Sequence, residues 1–137
     1  MRVLLDTNII IDALQSREGF LEDARDILIY SADYDGYLTA SSIADIFYLQ
    51  RRFFRNREKA TQNLLDLLKL FCIVDTTAED CKNALRGGAP DFEDAVMVES
   101  ALREGIDLVV TRNIKDFEGF SIRVCSPAEF LSLLLGQ

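Results

Sequence analysis

Residues 91–117 read DFEDAVMVESALREGIDLVVTRNIKDF, and their pattern is the most informative about the fold class. Asp91 is a typical helix-opening residue, and we expect the helix to run to about Arg103 and to end at Gly105. The segment at residues 106–110, which ends in the apolar run LVV, follows directly and is the strongest strand signal in the chain. A helix that leads into a buried strand is the repeating unit of proteins built on a parallel sheet.

The same alternation extends through the rest of the chain. Further strands are predicted at residues 3–5, 36–39, 71–74 and 122–124, and further helices at 9–14, 20–32, 57–70, 77–87 and 126–135, with Thr76 or Thr77 as the cap of the helix that ends at residue 87. Ser41 and Ser42 are predicted to cap one more helix, which carries Asp45 one turn inside it. This order predicts an α/β protein with a central parallel sheet covered by helices on both faces.

The size and composition favour one domain over residues 1–137. The chain has 137 residues, 49% of them hydrophobic, and shows no linker or repeat. Its longest apolar stretches fall far short of the roughly 20 residues that span a bilayer. Asp6 interrupts the first apolar segment, which excludes a secretory signal at this position. The three cysteines match no zinc or disulfide pattern, so we expect reduced thiols and a cytoplasmic protein.

The absence of histidine restricts the chemistry. It excludes the Ser/His and Cys/His catalytic arrangements and the usual imidazole ligands of zinc. The net charge of −8 argues against binding nucleic acid through a generally basic surface. An acidic pocket that repels phosphate when empty can hold it once divalent cations are bound. Any enzyme activity is therefore expected to rest on carboxylates.

Polar residues follow two of the predicted strands, where ligands of open α/β sheets bind. Asp6 comes directly after the first strand, and Thr111 and Asn113 come after the strand near residue 110. Asp45 and Asp94 lie near the starts of helices, from which their side chains can reach the same rim. The sequence thus predicts three converging carboxylates.

Two interpretations of these acids stay open from the residues alone. Carboxylates held close together repel one another, and hard oxygen ligands favour Mg²⁺ or Mn²⁺, which leaves positions for a phosphate and an attacking water. Alternatively, an aspartate at a strand end or helix start caps the free N–H groups, and Asp91 with Asp94 fits an acidic capping box. For Asp45, the simpler interpretation is a solvated side chain.

The segments LLDTNIIIDAL, at residues 4–14, and DFEDAVMVESALREGIDLVVTRNIKDF, together with the strand and helix order between them, resemble the PIN domain family, which includes VapC-like toxins of toxin–antitoxin modules. The resemblance covers essentially the whole chain. It implies a PIN-like three-layer α/β/α fold and hydrolysis of RNA by a water that Mg²⁺ or Mn²⁺ activates. It also implies an RNA substrate, a cognate antitoxin and a homodimer.

Carried over residue by residue, the resemblance implies metal ligands at Asp6 and Asp94, with a further acidic position at Asp45. It places Thr111 in the pocket, and we expect Asn8 and Asn113 there as well. Two departures from the family stand out. Asp45 occupies a position where the family more often has Glu, and Asn113 occupies the place of a fourth aspartate. Asp116 could supply that carboxylate, and we rank it below the other three acids.

A dense basic stretch includes Arg51, Arg52 and Arg55 and is interleaved with Phe53 and Phe54. It could contact RNA phosphates, bind a partner protein, or be a solvated helix end whose arginines pair with neighbouring acids. The shorter Asp45 and the amide at Asn113 also leave a second function open, a catalytically silent PIN-like module that binds protein or RNA partners.

Overall fold

The computed structural model describes residues 1–136, in which five short strands form one parallel sheet. The strands are β1 (Arg2–Leu5), β2 (Asp35–Thr39), β3 (Cys72–Val74), β4 (Leu108–Val110) and β5 (Arg123–Cys125). Their order across the sheet is β3-β2-β1-β4-β5, and every pairing is parallel. The predicted α/β class with a central parallel sheet is confirmed.

Seven α-helices connect and cover these strands in the described part of the chain. They are α1 (Thr7–Leu14), α2 (Leu21–Ile29), α3 (Ala40–Phe54), α4 (Arg57–Leu70), α5 (Ala78–Gly87), α6 (Phe92–Arg103) and α7 (Pro127–Leu134). Short 3₁₀ helices lie at Ser31–Asp33 and Ile114–Phe117. The predicted helix at residues 20–32 was too long, because the chain leaves the α-helical conformation after Ile29 and tightens into the first of these turns.

The predicted caps of α3 were wrong. Thr39 is the residue that precedes the helix, and Ser41 and Ser42 lie inside its first turn. The buried Thr39 hydroxyl is hydrogen-bonded to the hydroxyls of Ser41, at 3.1 Å, and Ser42, at 2.8 Å. These serines therefore bond to another side chain and do not cap free backbone N–H groups.

Alternate residues of β1 and β4 face two separate hydrophobic layers. Val3 and Leu5 point into a core shared with α1, α2, α3, α4 and α7. Leu4 points to the other side, where it packs with Val109 and with Met97 of α6. Because strand residues alternate between faces, one apolar run can serve both layers. The result is the three-layer α/β/α arrangement.

The order of the strands creates a crevice between β1 and β4. From β1 the chain moves to β2 and β3 on one side of the sheet and later returns to β4 and β5 on the other. Ligand sites in open α/β sheets lie at such a reversal, outside the carboxyl ends of the strands. Leu5 pairs with Val110, so Asp6 and Thr111 leave the sheet side by side.

No helix within residues 1–136 combines the length and the apolar composition needed to cross a membrane.

Candidate active site

Asp6 is fixed in position from several sides. Its backbone N–H donates to the carbonyl of Val110 at 3.0 Å, which extends the β1–β4 ladder by one bond. Its Oδ1 accepts a hydrogen bond from the backbone N–H of Thr7 at 2.7 Å and so caps α1. Its Oδ2 accepts from the Thr111 hydroxyl at 2.8 Å and from the Asn8 amide at 3.2 Å. The carboxylate is therefore both a helix cap and an oriented group at the strand end.

Three residues that we predicted in the pocket hold the Asp6 carboxylate in place, directly or through one another: Asn8, Thr111 and Asn113. Thr111 is fully buried, so its hydroxyl orients Asp6 and does not form part of the exposed wall. The backbone N–H of Asn113 donates to the same hydroxyl at 3.0 Å. The structure shows no hydrogen bond to the Asn113 side chain within the described residues. This position thus contributes through its backbone.

Asp94 does not cap α6, because Asp91, three residues earlier, is the capping residue. The Asp91 carboxylate caps α6 by accepting a hydrogen bond from the backbone N–H of Asp94 at 3.0 Å. The Asp94 carboxylate itself makes no hydrogen bond to any other residue between 1 and 136. The capping interpretation therefore describes Asp91, and it leaves the half-buried Asp94 carboxylate unexplained.

The surroundings of Asp94 oppose its ionisation. Burial, together with the negative charges of Asp91, Asp6, Asp116 and Glu93, raises the pKa of Asp94 to about 7. A bound cation relieves the repulsion that these neighbouring acids exert on the carboxylate.

The electrostatics of Asp6 combine opposing causes. Burial raises its pKa, whereas the hydrogen bonds from Thr111 and Thr7 lower it, the charge of Asp116 raises it and the charge of Arg112 lowers it. The net effect holds the pKa of Asp6 above the ordinary aspartate value. The charge of Asp116 thus acts on both Asp6 and Asp94, although we ranked Asp116 below the other acids.

Asp6 and Asp94 open onto a cleft of about 580 Å³. Asp45, which is exposed on α3, lines the same cleft. It is not among the main contributors to the pKa shift of either Asp6 or Asp94. The structure therefore brings all three predicted carboxylates to one cleft. The charge of Asp6 raises the pKa of Asp94, whereas Asp45 is not among the main causes of that shift.

No three acidic or cysteine side chains in the described structure are grouped closely enough to be a ready-made metal site. The donor set still fits Mg²⁺ or Mn²⁺, because Mg²⁺ commonly takes one or two protein carboxylates and fills its other positions with waters and substrate phosphate. Asp6 and Asp94 satisfy that requirement.

Sequence reasoning missed two cleft residues, Glu93 and Tyr48. Tyr48 follows Asp45 by one turn of α3, so helical spacing could have identified it. Glu93 adjoins Asp94 in the chain, and consecutive helix residues do not share a face, so spacing could not have identified it.

A buried ion pair behind the site was also missed. Arg112 donates to the buried Asp12 from Nε at 2.5 Å and from Nη2 at 3.1 Å, and its guanidinium lies 4.0 Å from the centroid of the Phe20 ring. This pair ties α1 to the segment that carries Thr111. A charged residue next to the apolar run Ile9–Ile11 was the available signal, since a buried charge requires a partner.

The basic stretch lies at the junction of α3 and α4. Arg51 and Arg52 are in the last turn of α3, and Arg55 ends the helix in the left-handed region with φ 53°. All three are exposed, and none forms an ion pair with the acids of residues 1–136. The interpretation as a self-neutralised helix end is therefore not supported for these arginines.

A family model described as PIN domain matches residues 2–115. A search of curated proteins finds no match.

Several solved structures share the fold. DNA-bound VapBC from Salmonella typhimurium aligns with a TM-score of 0.71 and 17% identity, over 93% of this chain and 98% of that one. A toxin–antitoxin complex from Klebsiella pneumoniae aligns with a TM-score of 0.68 and 22% identity, over 91% and 97% of the two chains. VapC20 of Mycobacterium tuberculosis, described as a sarcin–ricin loop cleaving toxin, aligns with a TM-score of 0.64 and 12% identity, over 78% and 86%.

Proposed function

Because the chain belongs to the PIN domain family, we propose that it is a Mg²⁺- or Mn²⁺-dependent endoribonuclease and the toxin of a toxin–antitoxin module. The observation that carries the proposal is the carboxylate of Asp94, half-buried, without a hydrogen-bond partner in the described structure, and surrounded by other acids. A folded protein retains such an arrangement at an energetic cost, and carboxylates of this kind are a frequent mark of functional sites.

In this proposal Asp6 and Asp94 hold the ion, and Asp45 contributes from α3. Thr111 and the Thr7 backbone fix the Asp6 carboxylate, so this ligand is oriented before an ion arrives. When bound, the ion lowers the pKa of a water and screens negative charge on the phosphate. Asp116, whose charge acts on both Asp6 and Asp94, completes the acidic set.

The remaining contributions come from the cleft itself. Its acids repel an RNA phosphate until a cation is present, so substrate binding and metal binding are coupled. The chain has no histidine, so no imidazole base can take part. In this proposal the carboxylates hold the ion and accept a proton released from the attacking water.

The test is cleavage of defined RNAs with Mg²⁺ or Mn²⁺, with EDTA as the metal-free control. We expect Asp94→Asn to reduce turnover by orders of magnitude, because an amide cannot supply an anionic ligand. Asp91→Asn is the matched control, since it removes the same charge three residues away and Asn caps a helix about as well as Asp. This variant should still cut RNA.

Robust metal-dependent cleavage by a folded Asp94→Asn protein, free of host nucleases, would overturn the mechanism. RNA or metal binding without cleavage by the wild type would instead support the catalytically silent PIN-like module.

We also propose a cytoplasmic single-domain protein that forms a homodimer and binds a cognate antitoxin. The support is the shared fold with proteins solved as toxin–antitoxin complexes. Light scattering on the purified chain tests the dimer, and co-purification with a candidate antitoxin encoded beside it tests the partner.

A further inference from the structure

One face of α3 connects the cleft to the basic stretch. Asp45, Tyr48 and Arg52 are spaced by three or four residues, so they form one row along the helix, and Arg55 directly follows the end of the helix. These four residues are here called the α3 row. All four side chains are exposed. Asp45 and Tyr48 line the acidic cleft, and Arg52 lies one turn beyond Tyr48. At about 1.5 Å per residue, Arg52 is about 10 Å from Asp45 along the helix axis.

Tyr48 is an exposed aromatic ring beside the acids. It is 60% exposed, and its ring and hydroxyl have no aromatic or hydrogen-bonding partner among the described residues. Neighbouring Ile46 and Gln50 of the same helix are fully buried, so packing against the core does not account for the position of Tyr48. Proteins that bind single strands use exposed aromatic rings of this kind to stack unpaired bases, because every base has a π-face.

Two arginines, Arg52 and Arg55, follow Tyr48 in the α3 row. Arg52 and Arg55 make no ion pair within residues 1–136. Residues 51–59 hold five basic side chains and one acidic one in a chain whose net charge is −8. Lys59 adds to this surface, with its Nζ 4.2 Å from the centroid of the Phe54 ring. The local charge is thus opposite to that of the whole protein and complementary to a phosphate backbone.

We propose that the α3 row binds the single-stranded segment of RNA next to the scissile bond. One unpaired base stacks on Tyr48, and the phosphates that follow pair with Arg52 and Arg55. The placement of the scissile bond rests on the proposed function at Asp6 and Asp94. The order of the row explains how an acidic protein holds RNA, since the contacts that attract phosphate begin two helical turns away from Asp45.

The test measures binding of a fluorescently labelled single-stranded RNA by anisotropy in the presence of Mg²⁺. All variants carry Asp94→Asn so that the RNA stays intact. We expect Tyr48→Ala to weaken binding by about 5- to 150-fold, the range for loss of one base–aromatic stack, and Tyr48→Phe to keep it. Arg52→Ala should weaken binding and reduce the slope of log affinity against log salt by about 0.7.

Arg25→Ala is the matched control, because Arg25 is exposed on α2 and also lacks an ion pair in the described structure. It should change neither the affinity nor the salt slope. A scan with single abasic nucleotides adds a second readout. At one nucleotide position, the losses of binding free energy from the abasic change and from Tyr48→Ala should not add, because both changes remove the same base–Tyr48 stack.

The outcomes separate this inference from the proposed function. Unchanged RNA affinity in both Tyr48→Ala and Arg52→Ala overturns the inference, even where the wild type cuts RNA. Loss of dimer or antitoxin binding with RNA affinity intact also overturns it and assigns the row to a protein interface. If the wild type fails to cut RNA while these variants lose binding, the α3 row is supported and the nuclease proposal is overturned.

Discussion

At the scale of single residues, Asp94 and Asp91 show how two aspartates of one helix start acquire different roles. Asp91 is exposed and its carboxylate receives a backbone N–H, so the helix start stabilises its charge. Asp94 is half-buried and faces other acids without such a bond. The local pattern could identify both as acidic residues of a first turn, but only the packing of α6 against the strand ends distinguishes them.

The raised pKa of Asp94 makes a prediction about the metal-free protein. In the unfolded chain this carboxyl releases its proton near the ordinary aspartate value of about 4, whereas in the folded protein it does so at about 7. The native state therefore binds more protons across this interval, and stability falls as the pH rises from about 4 through 7. Asp94→Asn removes the titrating carboxyl, so this fall in stability should be absent from the variant.

We therefore expect the metal-free Asp94→Asn protein to melt at a higher temperature than the wild type at pH 8 and at an equal one at pH 4. Asp26→Asn, which changes an exposed acid of α2, is the control for the change in net charge and should leave the melting temperature at pH 8 nearly unchanged. Equal melting temperatures of Asp94→Asn and wild type at pH 8 would mean that the carboxylate is well solvated.

At the scale of elements, α6 is anchored to α5 by a buried acid. Asp80 accepts hydrogen bonds from Nε of Arg103 at 3.1 Å, from the Ser100 hydroxyl at 3.0 Å and from the Thr77 backbone at 3.0 Å. Burial raises the pKa of Asp80, but the bonds donated by Arg103, Thr77 and Ser100 outweigh it and hold the pKa below the ordinary value. The helix that carries Asp94 is thereby fixed at its far end.

Replacing this acid should loosen the α5–α6 pair. We expect Asp80→Asn to lower the free energy of unfolding at pH 7 by about 1–3 kcal/mol, because buried donors lose a charged acceptor. The folded pKa is depressed, so the contribution of Asp80 is present above pH 4 and is lost as the pH falls further. Urea denaturation should show the deficit at pH 7 and a smaller one near pH 3.

Glu104→Gln is the matched control for Asp80→Asn, because Glu104 pairs with the same Arg103 at the surface. Its effect should stay within about 1 kcal/mol. A deficit as large for Glu104→Gln as for Asp80→Asn would place the stabilising contact at the surface.

The elements also show what the sequence could and could not predict. Thr77, Asp91 and Ser126 were predictable helix starts because a cap is set by bonds within one turn. The start of α3 was mispredicted because the Thr39 hydroxyl cluster is buried by tertiary packing.

The same limit applies to the candidate site. The positions of Asp6 and Thr111 followed from strand ends, which local patterns reveal. The effect of the Asp116 charge on the pKa of Asp94 depends on the distance between the 3₁₀ helix Ile114–Phe117 and α6. No local pattern in the sequence encodes that distance.

At the scale of the whole molecule, the acids of the cleft belong to a chain with a net charge of −8, so both local and overall repulsion act on the metal-free state. The two can be distinguished, because overall repulsion is screened by any salt, whereas a site formed by Asp6 and Asp94 responds to a divalent cation that binds the native state. The order of the strands thus affects the stability of the metal-free protein, since it brings acids from distant parts of the chain to one edge of the sheet.

We expect Mn²⁺ to raise the melting temperature of the wild type well above the rise in NaCl of the same ionic strength. At 100 times the dissociation constant, binding to the native state contributes about 2.7 kcal/mol. For a chain of this length that corresponds to a shift of about 5–10 °C. Asp6→Asn and Asp94→Asn should lose the part of the shift that exceeds the NaCl control, because each removes one anionic ligand. Differential scanning calorimetry over a Mn²⁺ titration measures both parts, and equal shifts in Mn²⁺ and NaCl would show that the cation only screens the chain's charge and that the cleft holds no metal.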